Sequence, residues 1–277
     1  MRRTATSVRL ALAAAFALSA IAAIPAHAQQ ERADRWLKDC QNNDWGSRDR
    51  GRFCDVRQVT INDPASSIRI DAGPNGGVSV FGWDKPTMLV VAKIQANGED
   101  DAGAKDIASR IKLTTERGRI ESDGPSTGRH EGWSVSYDVY LPKARDLDVS
   151  SRNGGVSVED VKGKLDLGTT NGGIHLTDVA GDVRAETTNG GVSATLSSAS
   201  WDGGGLDLRT TNGGVTLEIP RDYNARLETG TTNGGFDTDF PITIQGSFGR
   251  RITTTLGKGG PMIRATTVNG GVRIKQR

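Results

Sequence analysis

The pentapeptide Thr-Thr-Asn-Gly-Gly is written four times, at 169–173, 187–191, 210–214 and 231–235, and its last three residues seven times, beginning at Asn75, Asn153, Asn171, Asn189, Asn212, Asn233 and Asn269. The intervals are 78, 18, 18, 23, 21 and 36 residues. A chain that rewrites one short segment at an 18-residue period is a repeat architecture, in which a single unit cannot bury its apolar face and like units must stack.

Aligning on the Asn shows what each unit contains. Three residues later stand Val78, Val156, Ile174, Val192, Val215, Phe236 and Val272; five later stand Val80, Val158, Leu176, Ala194, Leu217, Thr238 and Ile274. Six residues before it, in the last six copies, stand Leu147, Leu165, Val183, Leu206, Leu227 and Ile263. Polar residues such as Asp148, Asp166, Arg184, Asp207, Glu228, Ser157, His175, Thr216 and Asp237 alternate with these. That alternation of period two marks strands with one buried face.

Each unit therefore reads as strand, Asn-Gly-Gly turn, strand and a second turn such as Val161-Lys162-Gly163 or Val179-Ala180-Gly181. Two chain paths fit. Asn-Gly between alternating strands is a hairpin signal, since both residues tolerate the positive φ of a type I′ turn, and repeated hairpins give an antiparallel meander. Alternatively the glycines turn a corner and each unit coils once onto the last. Equal unit length with like residues at like positions favours the second, a parallel β-solenoid of about 18-residue, two-strand coils. Asn153, Asn171, Asn189, Asn212, Asn233 and Asn269 would then form a structural turn ladder, each amide about 4.8 Å from the next. Phosphate- or metal-binding Gly loops would need GK[ST] or an acidic calcium pattern, and neither accompanies the repeat.

Some segments are irregular. Residues 200–205 (Ser-Trp-Asp-Gly-Gly-Gly) read as a loop pushed out of a turn, 236–268 as an irregular coil with Gly257-Lys258-Gly259-Gly260 at a turn, and 67–83 as a first coil shifted in register by one. Strands are expected over 87–96 and 133–141, with short helices over 99–110 and 31–41. Cys40 and Cys54 are expected to form one disulfide, because the spacing matches neither CxxC nor a metal site; a loop of this size is worth about 3 kcal/mol in a chain-entropy treatment. Helix and disulfide together would make a cap, residues 29–55, over the open first coil of a solenoid domain spanning 56–277.

Residues 1–28 read as a secretory signal peptide: Arg2, Arg3 and Arg9 precede an apolar run from Leu10 to Ile24 that ends in Ala26-His27-Ala28, too short for a membrane span. An exported chain permits the disulfide, and the destination is the periplasm or the cell surface. Removing that segment takes three Arg and no acid, so the formal charge falls from +2 to 32 minus 33, or −1. A near-neutral chain lacks the basic footprint of a nucleic-acid binder.

Candidate chemistry is sparse. His130 and His175 read as surface side chains. Asp237 and Asp239 share a strand face and would suit a cation, though a solvated face explains them as well. No G-x-S-x-G elbow is present. Trp201, in the Gly-rich insertion, is either a ligand-stacking residue or a cover for a packing gap, and Trp83 and Trp133 read as inward strand residues. No catalytic, cofactor or metal residues are assigned.

The run 75–83 (Asn-Gly-Gly-Val-Ser-Val-Phe-Gly-Trp), the segment 133–142 and the tandem Thr-Thr-Asn-Gly-Gly units with Leu217-Glu218-Ile219-Pro220 together resemble the putative-adhesin domain of bacterial exported proteins, related to the head domain of autotransporter adhesins. The resemblance covers about residues 56–275 and implies a β-solenoid with no catalytic residues. Relatives commonly carry Asn-Gly-Asp where this chain has Asn-Gly-Gly, so a role resting on that Asp does not carry over. The function expected is non-catalytic binding through polar sheet faces, to cell-surface glycan or envelope protein. A glycan-cleaving lyase or hydrolase, or a ligand-free structural envelope-stress component, are the alternatives.

Overall fold

A computed structural model describes residues 26–42, 50–241 and 251–277. The segment read as a signal peptide lies outside the described residues except for its last three positions. Helix α1 (Ala26–Asn42) leads to strand β1 (Gly51–Ile61), then β2 (Ser67–Asp71), β3 (Val78–Trp83) and β4 (Met88–Gly98). Helix α2 (Asp101–Ser109), β5 (Lys112–Thr114), β6 (Arg119–Asp123) and β7 (Gly132–Pro142) follow. The repeats then supply β8 (Asp146–Ser151), β9 (Val156–Glu159), β10 (Lys162–Asn171), β11 (Ile174–Thr177), β12 (Ala180–Asn189), β13 (Val192–Thr195), β14 (Gly205–Asn212) and β15 (Val215–Ile219). The chain closes with β16 (Ala225–Asn233), β17 (Phe236–Thr238), β18 (Arg251–Leu256), β19 (Met262–Asn269) and β20 (Val272–Gln276).

The strands form two ten-stranded sheets, and each winding contributes one strand to each. Neighbouring windings run parallel: β10 pairs with β12 so that Leu165 faces Val183 and Asn171 faces Asn189, while β11 pairs with β13, Ile174 facing Val192. The solenoid path is the one adopted. None of the seven Asn has a positive φ, so the corners are not type I′ turns. The register shift foreseen near Gly73 is present, Ile68 rather than Arg69 lying opposite Leu147.

Both aligned columns six before and three after the Asn point between the sheets and are essentially fully buried, except that Phe236 is only half-buried. Such burial stabilises by about 1.5–3 kcal/mol per Val or Leu side chain. The first Thr of the pentapeptide also faces inward. Its hydroxyl donates to the carbonyl of the first Gly in the adjacent winding, at 2.8 Å for Thr169 to Gly154, Thr187 to Gly172 and Thr210 to Gly190. The Asn side chain closes the corner, Asn171 Nδ2 donating to Asn153 Oδ1 at 2.8 Å and Asn189 Nδ2 to Asn171 Oδ1 at 2.8 Å. The first Gly is required by proximity: a Cβ on any of the seven would lie 1.8–2.2 Å from a carbonyl oxygen of the next strand.

Three expectations need correction. Windings do not stack strictly in chain order. At one end the β6/β7 winding lies outside β2/β3, and at the other β19/β20 is inserted between β14/β15 and β16/β17. The chain thus skips a place and returns at each end, leaving antiparallel strands β5 and β18 and the three-residue β17 at edges, features that blunt edge-to-edge pairing. Second, α1 does not cover the open end. It lies on the outer face of the first sheet, Ala33 packing with Phe81, Trp83, Val91 and Tyr140, while α2 places Ile107 and Ala108 in the main core. Trp83 is therefore an outward residue covered by the helix, and Trp133 is half-buried at the core's margin. Third, the boundary drawn between 55 and 56 falls inside β1, which pairs with β4 over its whole length.

Candidate binding faces

The side chains that alternate outward define two polar faces. Across the first sheet one row runs through Ser79, Ser157, His175, Ser193, Thr216, Arg273 and Asp237. His175 Nδ1 lies 2.7 Å from Ser193 Oγ, and Arg273 pairs with Asp237. A shallow depression of about 250 Å³ lies over Ser79, Ser136, Ser157, His175 and Lys93. Lys93 is engaged by the almost fully buried Asp138 at 2.7 Å.

The second sheet carries the charge. In spatial order one row reads Arg69, Asp148, Asp166, Arg184, Asp207, Arg264, Glu228. Chain-order stacking would set Asp207 beside Glu228, two like charges on adjacent strands, which is destabilising. The inserted winding puts Arg264 between them instead, its guanidinium 3.3 Å from Asp207 Oδ2 and 2.9 Å from Glu228 Oε2. That hydrogen bond from Arg264, with the charges of Arg264 and Arg251 beside it, holds the Glu228 carboxyl below its ordinary range against the opposing effect of burial. The same contacts raise Arg264. Arg184 is raised by its hydrogen bond and ion pair with Glu186.

Two depressions mark this face where a glycine leaves the outward row without a side chain. One of about 490 Å³ lies over Gly168, with Asp166, Arg184 and Glu186 around it. The other, about 360 Å³, is lined by Arg209, Glu228, Arg251, Arg264 and Thr266, and Gly230 is paired opposite Arg251 and Thr266.

The residues singled out in the sequence are placed as follows. Cys40 and Cys54 are bonded and tie α1 to β1. Asn153, Asn171, Asn189, Asn212, Asn269 and Asn233 form one amide chain in that spatial order, continued to Asn75 by Asn153. Trp201 is 5% exposed and its indole N–H donates to the Gly181 carbonyl at 3.0 Å, so the ring fills the gap beneath the insertion and is not available for stacking on a ligand. Asp237 is engaged by Arg273, and Asp239 Oδ2 accepts from the Gln276 backbone N–H, which leaves no paired cation site. His130 sits at φ 72° in an exposed turn. The Arg209, Arg251 and Arg264 grouping was missed; the signal that points to it is the like-charged Asp207 and Glu228 in one column, which asks for a cation between them.

These features define a mostly-β, solenoid-like fold with two broad polar faces. The sequence profile of the Toastrack DUF4097 family matches residues 74–275, most of the chain, and the protein belongs to that family. No curated protein matches it. Among solved structures it is similar to a putative cell adhesion protein from Clostridium sporogenes (12% identity, TM-score 0.41, covering 82% of this chain and 100% of that one). It is likewise similar to a putative adhesin from Bacteroides fragilis (10%, 0.43, 81% and 97%) and a putative lipid binding protein from Parabacteroides distasonis (9%, 0.33, 81% and 96%). Superpositions this loose leave the functional argument to the chain's own residues.

Proposed function

We propose that the protein is an exported, non-catalytic, adhesin-like binding solenoid that presents its polar sheet faces to cell-surface glycan or envelope protein. The observation that carries this is the alternation itself. One set of columns is sealed between the sheets, and the other is displayed in register across adjacent windings, about 4.8 Å apart, as a broad surface with shallow depressions. Such a surface suits repeated weak contacts with an extended partner, whereas small-molecule sites enclose most of their ligand.

The electrostatics argue against glycan cleavage at the charged face. A glycosidase acid needs a carboxyl whose pKa is raised so that it holds a proton near neutrality. Glu228 is shifted the opposite way by Arg264. His175 has a hydroxyl for its partner and no carboxylate among its hydrogen bonds, so it lacks the orienting acid of a nucleophile-activating base.

The test is incubation of the purified chain with a polysaccharide panel, measuring both retention and the appearance of reducing ends or unsaturated products. Retention without new ends is the expected result. New reducing ends or unsaturated sugars would overturn the non-catalytic reading.

A further inference from the structure

The depression over Gly230 has an asymmetry that points to a ligand class. The lining acid Glu228 and the adjacent Asp207, which pairs with two of the lining arginines, have every carboxylate oxygen engaged: Asp207 Oδ1 accepts from Arg209 at 2.8 Å, and Asp207 Oδ2 from Arg209 at 2.6 Å and Arg264 at 3.3 Å. Glu228 Oε2 accepts from Arg264 at 2.9 Å, and Oε1 lies 3.3 Å from Arg251 Nε. Three guanidiniums face these two carboxylates, so the site carries one net positive charge. Each guanidinium has five N–H donors and these contacts use at most two, so donors remain on all three. Arg251 is the most open, with 72% of its side chain exposed, and both its terminal nitrogens are without a partner among the described residues. Thr266 adds a hydroxyl on the floor. The charged groups of the site offer free donors, while their carboxylate oxygens are all engaged.

Glu228 is 12% exposed and hydrogen-bonds Arg264, so that fork is held in place before any ligand arrives, while Arg251 is tethered beside it by an ion pair through Nε. Planar guanidiniums match carboxylate and sulfate oxygens two at a time, and an ordered fork loses less entropy on binding than a free one. The depression over Gly168 is the counterexample on the same face. Asp166, Arg184 and Glu186 leave one net negative charge there, and Arg184 is engaged by Glu186.

We propose that Arg209, Arg251 and Arg264 form a binding site for the oxyanion groups of an acidic polysaccharide, uronate carboxylates or sulfate esters. The sugar hydroxyls would lie toward Thr266. This rests on the binding reading above and names its ligand class.

The test uses the purified chain on immobilised polygalacturonate, heparin and neutral dextran. The double variant Arg209→Gln, Arg251→Gln keeps Arg264 as partner to both acids and so keeps the fold, which thermal melts check. A double control, Arg221→Gln with Lys258→Gln, removes the same charge from exposed turns. Expected is retention on an acidic matrix that weakens as salt approaches about 1 M, falls at least tenfold in the arginine double variant and changes less than twofold in the control. Which acidic matrix retains the chain tells carboxylate from sulfate. Unchanged retention of the arginine variant, an equal loss in the control, or equal binding to dextran would overturn the site. Retention on dextran alone would still leave the broader binding reading standing, whereas no retention on any glycan and no binding to a purified envelope protein would end both.

Discussion

The two glycines of each corner should respond differently to the same substitution. At Gly172 an added Cβ would sit 2.2 Å from the Gly154 oxygen and 2.6 Å from its carbon, both backbone atoms of the adjacent winding. Carbon and carbonyl oxygen approach to roughly 3.3 Å at closest, so the strands must part by about 1 Å. Three hydrogen bonds hold that gap: Asn171 N–H to Arg152 O at 2.7 Å, Val156 N–H to Gly173 O at 3.0 Å and Thr169 Oγ1 to Gly154 O at 2.8 Å. Losing two or three at about 1 kcal/mol each, with overpacking strain of about 1–3 kcal/mol, gives a cost of about 3–6 kcal/mol. The entropy removed from the unfolded chain returns only about 0.4–1 kcal/mol. At about 2–4 °C per kcal/mol for a domain of this size, Gly172→Ala should lower Tm by about 10 °C. At Gly173 the Cβ meets His175 Nε2 at 3.2 Å, a movable exposed ring, and Gly191 O at 3.4 Å. Gly173→Ala should therefore stay within about 1 kcal/mol of the parent. Thermal and urea melts followed by circular dichroism measure both. Equal effects, or a harmless Gly172→Ala, would refute the claim that close approach between windings fixes this residue.

Other outcomes follow from the same geometry. Leu167 is fully buried, and Leu167→Asp places an unpaired carboxylate between the sheets; it should abolish cooperative unfolding, while His175→Ala on the outer face should leave the melt unchanged. Thr229 stands at an aliphatic column with a hydroxyl that has no partner among the described residues, so Thr229→Val should be neutral or stabilising by about 1 kcal/mol in urea titrations. Glu228 has a folded pKa below its unfolded value, so its pairing stabilises the protein above the ordinary carboxylate range and the contribution is lost as pH falls through the folded value. Glu228→Gln should thus lose stability at neutral pH and show a shallower decline toward acid, read from melts between about pH 7 and 3. An unchanged acid limb would remove Glu228 from the cause.

The inside and outside of the windings were legible because alternation is a local property: each Leu or Val at the aligned positions had only to meet its counterpart in whichever winding lay next to it. The Asn amide chain was readable for the same reason, since identical residues at identical corners satisfy one another in either order. The helix over 99–110 was readable from its own residues, the Asp100 carboxylate capping the Gly103 N–H.

Which winding adjoins which was decided only in three dimensions. Val272 and Phe236 are both apolar at the position that would face Val215, so the apolar columns do not distinguish the two orders. The charges on the outer face do distinguish them, because Arg264 satisfies Asp207 and Glu228 together only when its winding lies between theirs. The placement of α1 was equally hidden, since Phe81, Trp83 and Tyr140 are apolar at outward positions and alternation does not say what covers them. Sequence periodicity set the unit and its buried face through contacts any neighbour can supply. Tertiary structure set the order of units and the arginine site through contacts that only one neighbour supplies.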